Sequence, residues 1–269
     1  MAVSSYISYW LRRSGLLSIA ENIRYRVHQL RFYAQNRAFR KDHPEIILPP
    51  DFYIYETYRL SCSEYYYDGL ETAKEILSAM GKATDLTKKE MAILDWGCGP
   101  GRITRHLPAL LSQAKVFGAD YNEKYINWCA NNLPGITFQL NGVTPPLDHT
   151  ADFFDAVIGI SVFTHLSPAG HHSWINELYR IIKTGGVAFI TTQGSAYRLK
   201  MLQQELEKFD LGQLVIRENI SEGNRLYSSF QPETFIRQLV AGKFDVAEFV
   251  SGHIATGEPA QDHWVLKKI

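Results

Sequence analysis

From residue 90 to about residue 193, short apolar runs alternate with segments whose apolar residues return at helical spacing. MAILD (91–95), KVFGAD (115–120), ITFQLN (136–141), FDAVIGIS (154–161) and VAFITTQ (187–193) each have the length and content of a strand. RITRHLPALLSQ (102–113), NEKYINWCANNL (122–133) and PAGHHSWINELYRIIK (168–183) separate them and read as helices. Such alternation predicts an α/β fold, a parallel sheet with helices on both faces. Ligands of such sheets sit at the carboxyl ends of the strands.

The flanks follow other patterns. Leu16, Ala20, Ile23, Val27, Leu30 and Ala34 recur at steps of four and three, one face of an N-terminal helix. The basic residues of that segment, from Arg12 to Lys41, fall mostly off the stripe. HPEIILPPD (43–51) ends the helix with three prolines. Residues 52–81 are rich in tyrosine, and EYYYDGLETAKEILSAMG (64–81) reads as a helix with Gly81 as its C-cap. SAYRLKMLQQELEKFD breaks the strand–helix rhythm and predicts a helical insertion near the mouth of a site. The chain closes with a helix (PETFIRQLVAG) and two apolar runs (FDVAEFVSG, HWVLKKI). The expected organisation is a basic helical extension over 1–50 and a main domain over 51–269, with core motifs at 90–195 and an insertion at 195–230.

Charge narrows the function classes. Lys and Arg total 28 and Asp and Glu total 28, so no global field favours nucleic acid. Cys62, Cys98 and Cys129 form no CxxC pair, which predicts a reducing compartment, no disulfide framework and no metal site. The N-terminus lacks the uninterrupted apolar core of a signal peptide, and no run approaches the ~20 apolar residues of a membrane span. A cytoplasmic location is expected. The basic segment 5–41 has three readings: a lid over an acceptor site, a homodimer contact, or a peripheral anchor on anionic lipid.

The chemistry centres on DWGCGPGR (95–102), placed between a strand and a helix. Gly97, Gly99 and Gly101 are spaced G-x-G-x-G, and Arg102 stands where a dinucleotide turn carries its third glycine. Asp95 would face a pyrophosphate with like charge, which disfavours NAD. S-adenosylmethionine has no phosphate and carries a cationic ammonium and a cationic sulfonium, so an acid beside the turn favours it. Asp120, closing the second strand, can accept hydrogen bonds from ribose hydroxyls. Cys98 reads as a small residue fitted to the turn rather than as a nucleophile.

ILDWGCGPGRITRHL, VFGADYN, FDAVIGISVFTHLS and ELYRIIKTGGVAFITT, in that order, resemble the motifs of class I S-adenosylmethionine-dependent methyltransferases. QDHWVLKK is similar to the closing strand of that fold. The resemblance covers roughly residues 90–195. It implies a Rossmann-like, seven-stranded, mostly parallel sheet with helices on both faces and the last strand antiparallel. It also implies site roles. Asp95, Gly97 and Gly99 line the methionine part, Asp120 holds the ribose, and Tyr121 packs on the adenine. Asn141 faces the adenine amino group where the family often has Asp, and Gly142 offers a backbone N–H. Ser161 lies near the transferred methyl. His165 is the candidate catalytic residue, a general base or an acceptor-orienting group; its other reading is a histidine packed at the start of the next helix. His171 and His172 are expected in solvent. Asp262–His263 is a second polar pair. The tyrosines at 53–67 form either an acceptor wall or a packed helix surface.

The expected reaction is in-line methyl transfer to a small-molecule acceptor, a sugar or secondary metabolite, with O-methylation favoured. The alternative is a non-catalytic scaffold of the same fold acting through the basic helix. An NAD-dependent oxidoreductase ranks behind both.

Overall fold

The computed structural model describes residues 17–217, 222–224, 226–255 and 257–269. Three helices precede the sheet: α1 (Leu17–Asp42), α2 (Asp51–Thr57) and α3 (Cys62–Gly81). The strand–helix alternation follows as β1 (Ala92–Trp96), a single turn α4 (Leu107–Leu110), β2 (Lys115–Asp120), α5 (Glu123–Asn132), β3 (Ile136–Leu140), β4 (Phe154–Gly159), α6 (Pro168–Ile181) and β5 (Ile182–Thr192). The C-terminal part adds α7 (Gln203–Asp210), α8 (Glu233–Val240), β6 (Phe244–Val250) and β7 (Asp262–Lys268). Among the described residues no helix is long and apolar enough to cross a membrane.

The seven strands form one sheet in the order β3-β2-β1-β4-β5-β7-β6. Pairs among β1 to β5 are parallel, and β7 runs antiparallel to both β5 and β6. The seven-stranded, mostly parallel sheet with a reversed last strand is thus present. The reversed strand lies one position inside the edge. The chain leaves β1 toward β2 and β3, then crosses back to β4 on the other side, so the switch of direction falls at β1.

Both faces of the sheet are covered, which explains why its strands read as continuous apolar runs. Leu94, Trp96 and Val157 point to one face and pack with Trp174, Leu178 and Trp264. Ile93, Ile158 and Phe189 point to the other and pack with Ala73, Ile76 and Met80 of α3. A third cluster joins Phe39 of α1 to Ile54, Tyr55, Leu60, Cys62 and Tyr65. Asn36 pins it: its side chain accepts from the Cys62 N–H at 2.8 Å and donates to the Leu60 carbonyl at 3.3 Å.

Four local expectations are corrected. The predicted helix over 102–113 shrinks to a 3-10 turn (Thr104–His106) and the single turn α4. Pro108 has no N–H to give to the Thr104 carbonyl, and its ring crowds that carbonyl, which disfavours a continuous α-helix at this point. Gly81 is the last helical residue and Lys82 the C-cap, in right-handed geometry that needs no glycine. His171 is buried rather than solvated. The stripe chosen for α1 is its outer face: Ile23, Val27 and Leu30 are exposed, and the helix buries Asn36 and Phe39 instead. Leu16, at the start of that stripe, and the basic pair Arg12 and Arg13 lie outside the described residues.

Candidate functional site

At the carboxyl ends of β1, β2 and β4 lies a cavity of about 570 Å³, a volume typical of small-molecule sites. Its floor is the turn after β1. Gly97 and Gly99 have φ of +74° and +54°, a region that side chains disfavour. A Cβ on Gly97 would also lie 2.4 Å from the Val162 side chain. The turn is tied to β2, because the Gly97 and Cys98 N–H groups both donate to the Ala119 carbonyl, at 2.8 and 3.0 Å.

Two carboxyls face this floor. Asp95, at the end of β1, is buried and accepts from the Thr104 hydroxyl at 2.5 Å. Burial pushes its pKa up to about 6, against the pull of the Thr104 bond and of Arg102, with the neighbouring Asp120 raising it further. Asp120, at the end of β2, accepts the Gly99 N–H on one oxygen at 2.9 Å and the Asn122 N–H on the other at 2.8 Å. Burial raises its pKa as well, opposed by those backbone bonds. Each carboxylate oxygen keeps a second lone pair. Two buried acids beside one cavity suit a ligand that brings positive charge and hydroxyl donors.

The nine residues to which the resemblance gives a cofactor or catalytic role all line this cavity: Asp95, Gly97, Gly99, Asp120, Tyr121, Asn141, Gly142, Ser161 and His165. Asn141 donates through Nδ2 to the Gly142 carbonyl at 2.7 Å, while its Oδ1 is buried with no partner among the described residues. An orphaned acceptor in a cavity wall fits a ligand N–H donor. Tyr121 remains partly exposed over the opening. Ser161 sits at φ +60°, a strained setting for a side-chain-bearing residue. Its N–H donates to the Thr191 hydroxyl at 2.8 Å and its own hydroxyl to Gln261 Oε1 at 3.1 Å.

His165 closes the 3-10 turn Phe163–His165. Its Nδ1 lies 2.7 Å from the Tyr227 carbonyl, which can only accept, so Nδ1 carries the proton and Nε2 is the basic nitrogen of the neutral ring. His171 supports the turn from behind. It donates to the Ser167 carbonyl at 2.8 Å and accepts from Gln231 at 3.2 Å, and Gln231 in turn donates to the Phe163 carbonyl at 3.0 Å. Burial lowers the His171 pKa to about 4, so the ring is neutral. Asp262 and His263 do not line this cavity; Asp262 accepts the Gly252 N–H at 2.8 Å. The three cysteines are free and buried. Burial pushes the Cys98 thiol well up, which removes its nucleophilic form.

The roof comes from segments that carry no motif. Tyr55, Glu56 and Tyr58 of the α2 region, Glu21 and Asn22 of α1, and Leu226 of the insertion all line it. The tyrosines therefore divide: Tyr55 and Tyr58 face the cavity, while Tyr65 is buried and donates to the Pro100 carbonyl at 3.0 Å. Glu56 accepts from Tyr125 at 2.7 Å, and the Arg102 guanidinium lies 4.5 Å over the Tyr58 ring. The one sequence signal for this roof is the concentration of tyrosine ahead of the sheet. Within the insertion, Gly223 donates to the His165 carbonyl at 3.0 Å, so the segment meets the site after its helix rather than through it.

Comparison with known proteins gives concordant findings. A family model described as a methyltransferase domain matches residues 93–186. The mouse mitochondrial ubiquinone biosynthesis O-methyltransferase is 32% identical over 109 residues, 38% of this chain and 28% of that protein. An S-adenosylmethionine-dependent methyltransferase from Methanosarcina mazei has a similar solved structure, with TM-score 0.54 and 20% identity over 68% of this chain and 94% of that one. The 1,6-didemethyltoxoflavin-N1-methyltransferase of Burkholderia thailandensis is also similar, with TM-score 0.51 and 16% identity over 77% of this chain and 84% of that one. At such identities the structural likeness is one of fold.

Proposed function

We propose that this chain, a class I S-adenosylmethionine-dependent methyltransferase by its domain and its sheet, methylates an oxygen of a small-molecule acceptor. The observation that carries the reading is the pair of buried carboxyls, Asp95 and Asp120, at adjacent strand ends over one glycine turn. The residues fit the cofactor. Asp95 meets the cationic methionine end, and backbone at Gly97 and Gly99 lets it approach. Asp120 accepts from the ribose, and Tyr121 covers the adenine. Asn141 Oδ1 takes the adenine amino group, the donor its orphaned position lacks, and Gly142 borders the ring. When bound, S-adenosylmethionine supplies a methyl group already activated on a sulfonium. The chain then has to orient the acceptor, exclude water and take a proton.

His165 Nε2 is the group that takes the proton from an acceptor hydroxyl, with Nδ1 held by Tyr227 and the turn held by Gln231 and His171. Ser161 borders the reacting centre. Oxygen as the accepting atom is supported by this basic nitrogen and by the name of the mouse relative. A sugar or secondary metabolite fits a cavity roofed by tyrosines and carboxylates. The domain at 51–269 performs the chemistry, and segments 1–50 and 195–230 shape the acceptor side, since both reach the cavity. Free, buried cysteines fit a reducing compartment. The test is mass spectrometry of hydroxylated acceptors incubated with enzyme and cofactor. A gain of one methyl mass is expected, reduced about 100-fold or more in rate by His165→Ala with unchanged S-adenosylhomocysteine affinity. Methylation of amines alone, or full activity in His165→Ala, would contradict the oxygen assignment.

A further inference from the structure

The outer face of α1 is apolar, basic and uncovered. Ile19, Ile23, Val27 and Leu30 are 55–80% exposed. At helical spacing they fall within an arc of roughly 80°. Arg26 and Arg37 border one side of that arc, and Arg24 and Arg31 the other. The inner face is the one already occupied: Tyr25, Phe32 and Phe39 pack into the cluster with Ile54 and Tyr55.

The helix has two carboxylates, and neither covers the outer face. Glu21 turns inward, accepts from the Tyr55 hydroxyl at 3.1 Å and pairs with Arg24 alone among the flanking arginines, at 3.7 Å, and Asp42 is the last residue of the helix. Arg26, Arg31 and Arg37 have no ion pair with a carboxylate among the described residues. In a chain of zero net charge, this surface is a local excess of positive charge beside aliphatic side chains.

We infer that the outer face of α1 docks on an anionic lipid bilayer, with Ile23, Val27 and Leu30 at the acyl boundary and the flanking arginines among the headgroups. A partner has to be apolar in the middle and negative on both sides. A bilayer surface with anionic lipid has that chemistry, and long arginine side chains reach its headgroups while their stems lie along the apolar layer. A second copy of this chain does not complement the face, because an isologous contact would set arginine rows against arginine rows. The helix lies on the bilayer and does not cross it. The placement also bears on the cavity. Glu21 and Asn22 line it from the same helix, so cavity and bilayer are separated by about one helix diameter, roughly 10 Å.

The test is vesicle flotation of the full chain. Vesicles are either pure phosphatidylcholine or equal parts phosphatidylcholine and phosphatidylglycerol. The protein is expected to float with the mixed vesicles and at least tenfold less with the neutral ones. Ile23→Glu with Leu30→Glu, and separately Arg26→Glu with Arg31→Glu, are each expected to cut flotation at least tenfold. All four side chains lie outside the cavity, so thermal melting and S-adenosylhomocysteine binding stay as in the wild type. Flotation needs no cofactor, so failure of the methyl-transfer reading is seen separately. The inference is overturned if the wild type does not float, floats equally with both vesicles, or floats undiminished in both double variants. It is also overturned if light scattering finds a dimer that Ile23→Glu with Leu30→Glu converts to monomer without any lipid binding. Loss of flotation on deleting residues 1–16, with both double variants still floating, likewise assigns the contact elsewhere.

Discussion

Burial holds the Asp95 carboxyl protonated up to about pH 6, whereas the unfolded chain releases that proton near 3.8. The folded state therefore binds more protons in that window, and this group's contribution to stability falls as pH rises through it. Asp262, raised to about 6 by burial, acts in the same direction. Asp95→Asn keeps an acceptor for Thr104 and removes the charge, so the ligand-free variant should be more stable at pH 7, by up to about 3 kcal/mol in urea denaturation. The same substitution should abolish S-adenosylmethionine binding. A variant no more stable than the wild type would mean that the carboxylate is better solvated than its burial implies. The ionised form is also the one that meets a cation. Lowering pH from 7.5 to 5 should thus weaken S-adenosylmethionine binding about tenfold in the wild type. A flat profile in that range would place the titration elsewhere.

At the scale of elements, the turn that carries His165 is held by a buried relay from α6 and the segment before α8. Gln231 donates to the Phe163 carbonyl and to His171, and its side-chain oxygen accepts the Gln193 N–H at 2.9 Å. Gln231→Ala leaves His171 Nε2 and the Gln193 N–H without their partner, while the Phe163 carbonyl keeps the Ser229 hydroxyl at 2.9 Å, and should cost about 2–4 kcal/mol in urea denaturation. Turnover should fall while S-adenosylhomocysteine affinity stays within about threefold, since the cofactor walls lie at the ends of β1, β2 and β3. A loss of affinity equal to the loss of turnover would show that the relay supports the whole cavity.

Much at this scale was legible in the chain. β1, β2, β4 and β5 are apolar runs because both faces of the sheet are covered, and Asp95 and Asp120 interrupt those runs at the strand ends. α1 was not legible in the same way. Its aliphatic residues have the cleaner periodicity yet face outward. Its buried side uses Tyr25, Phe32, Asn36 and Phe39, whose rings and hydrogen bonds a count of aliphatic positions passes over. His171 misled for a related reason: a polar residue in a first helical turn can be buried once Ser167 and Gln231 satisfy both ring nitrogens. The roof over the cavity was out of reach because Glu21, Glu56 and Leu226 meet only in three dimensions, from segments without a shared motif.

For the molecule as a whole, the cavity is where the three parts of the chain meet. α1 and α2 supply the roof, the sheet supplies the acidic floor, and the insertion supplies the wall beside His165. A ligand bridging these parts binds only the folded chain. S-adenosylhomocysteine at about 100 times its Kd should therefore add about 2.7 kcal/mol and raise the melting temperature by about 5 °C. No shift would mean that the cavity does not take the cofactor in the folded state. The most direct measurement is calorimetric titration of S-adenosylhomocysteine into the wild type and Asp120→Ala, with NAD as control. The wild type is expected to bind at about micromolar Kd and not to bind NAD. Asp120→Ala should weaken binding by about 2–4 kcal/mol, through loss of the charge-assisted ribose bonds. Absence of binding to the wild type, or equal affinity in Asp120→Ala, would contradict the assignment of the cavity to S-adenosylmethionine.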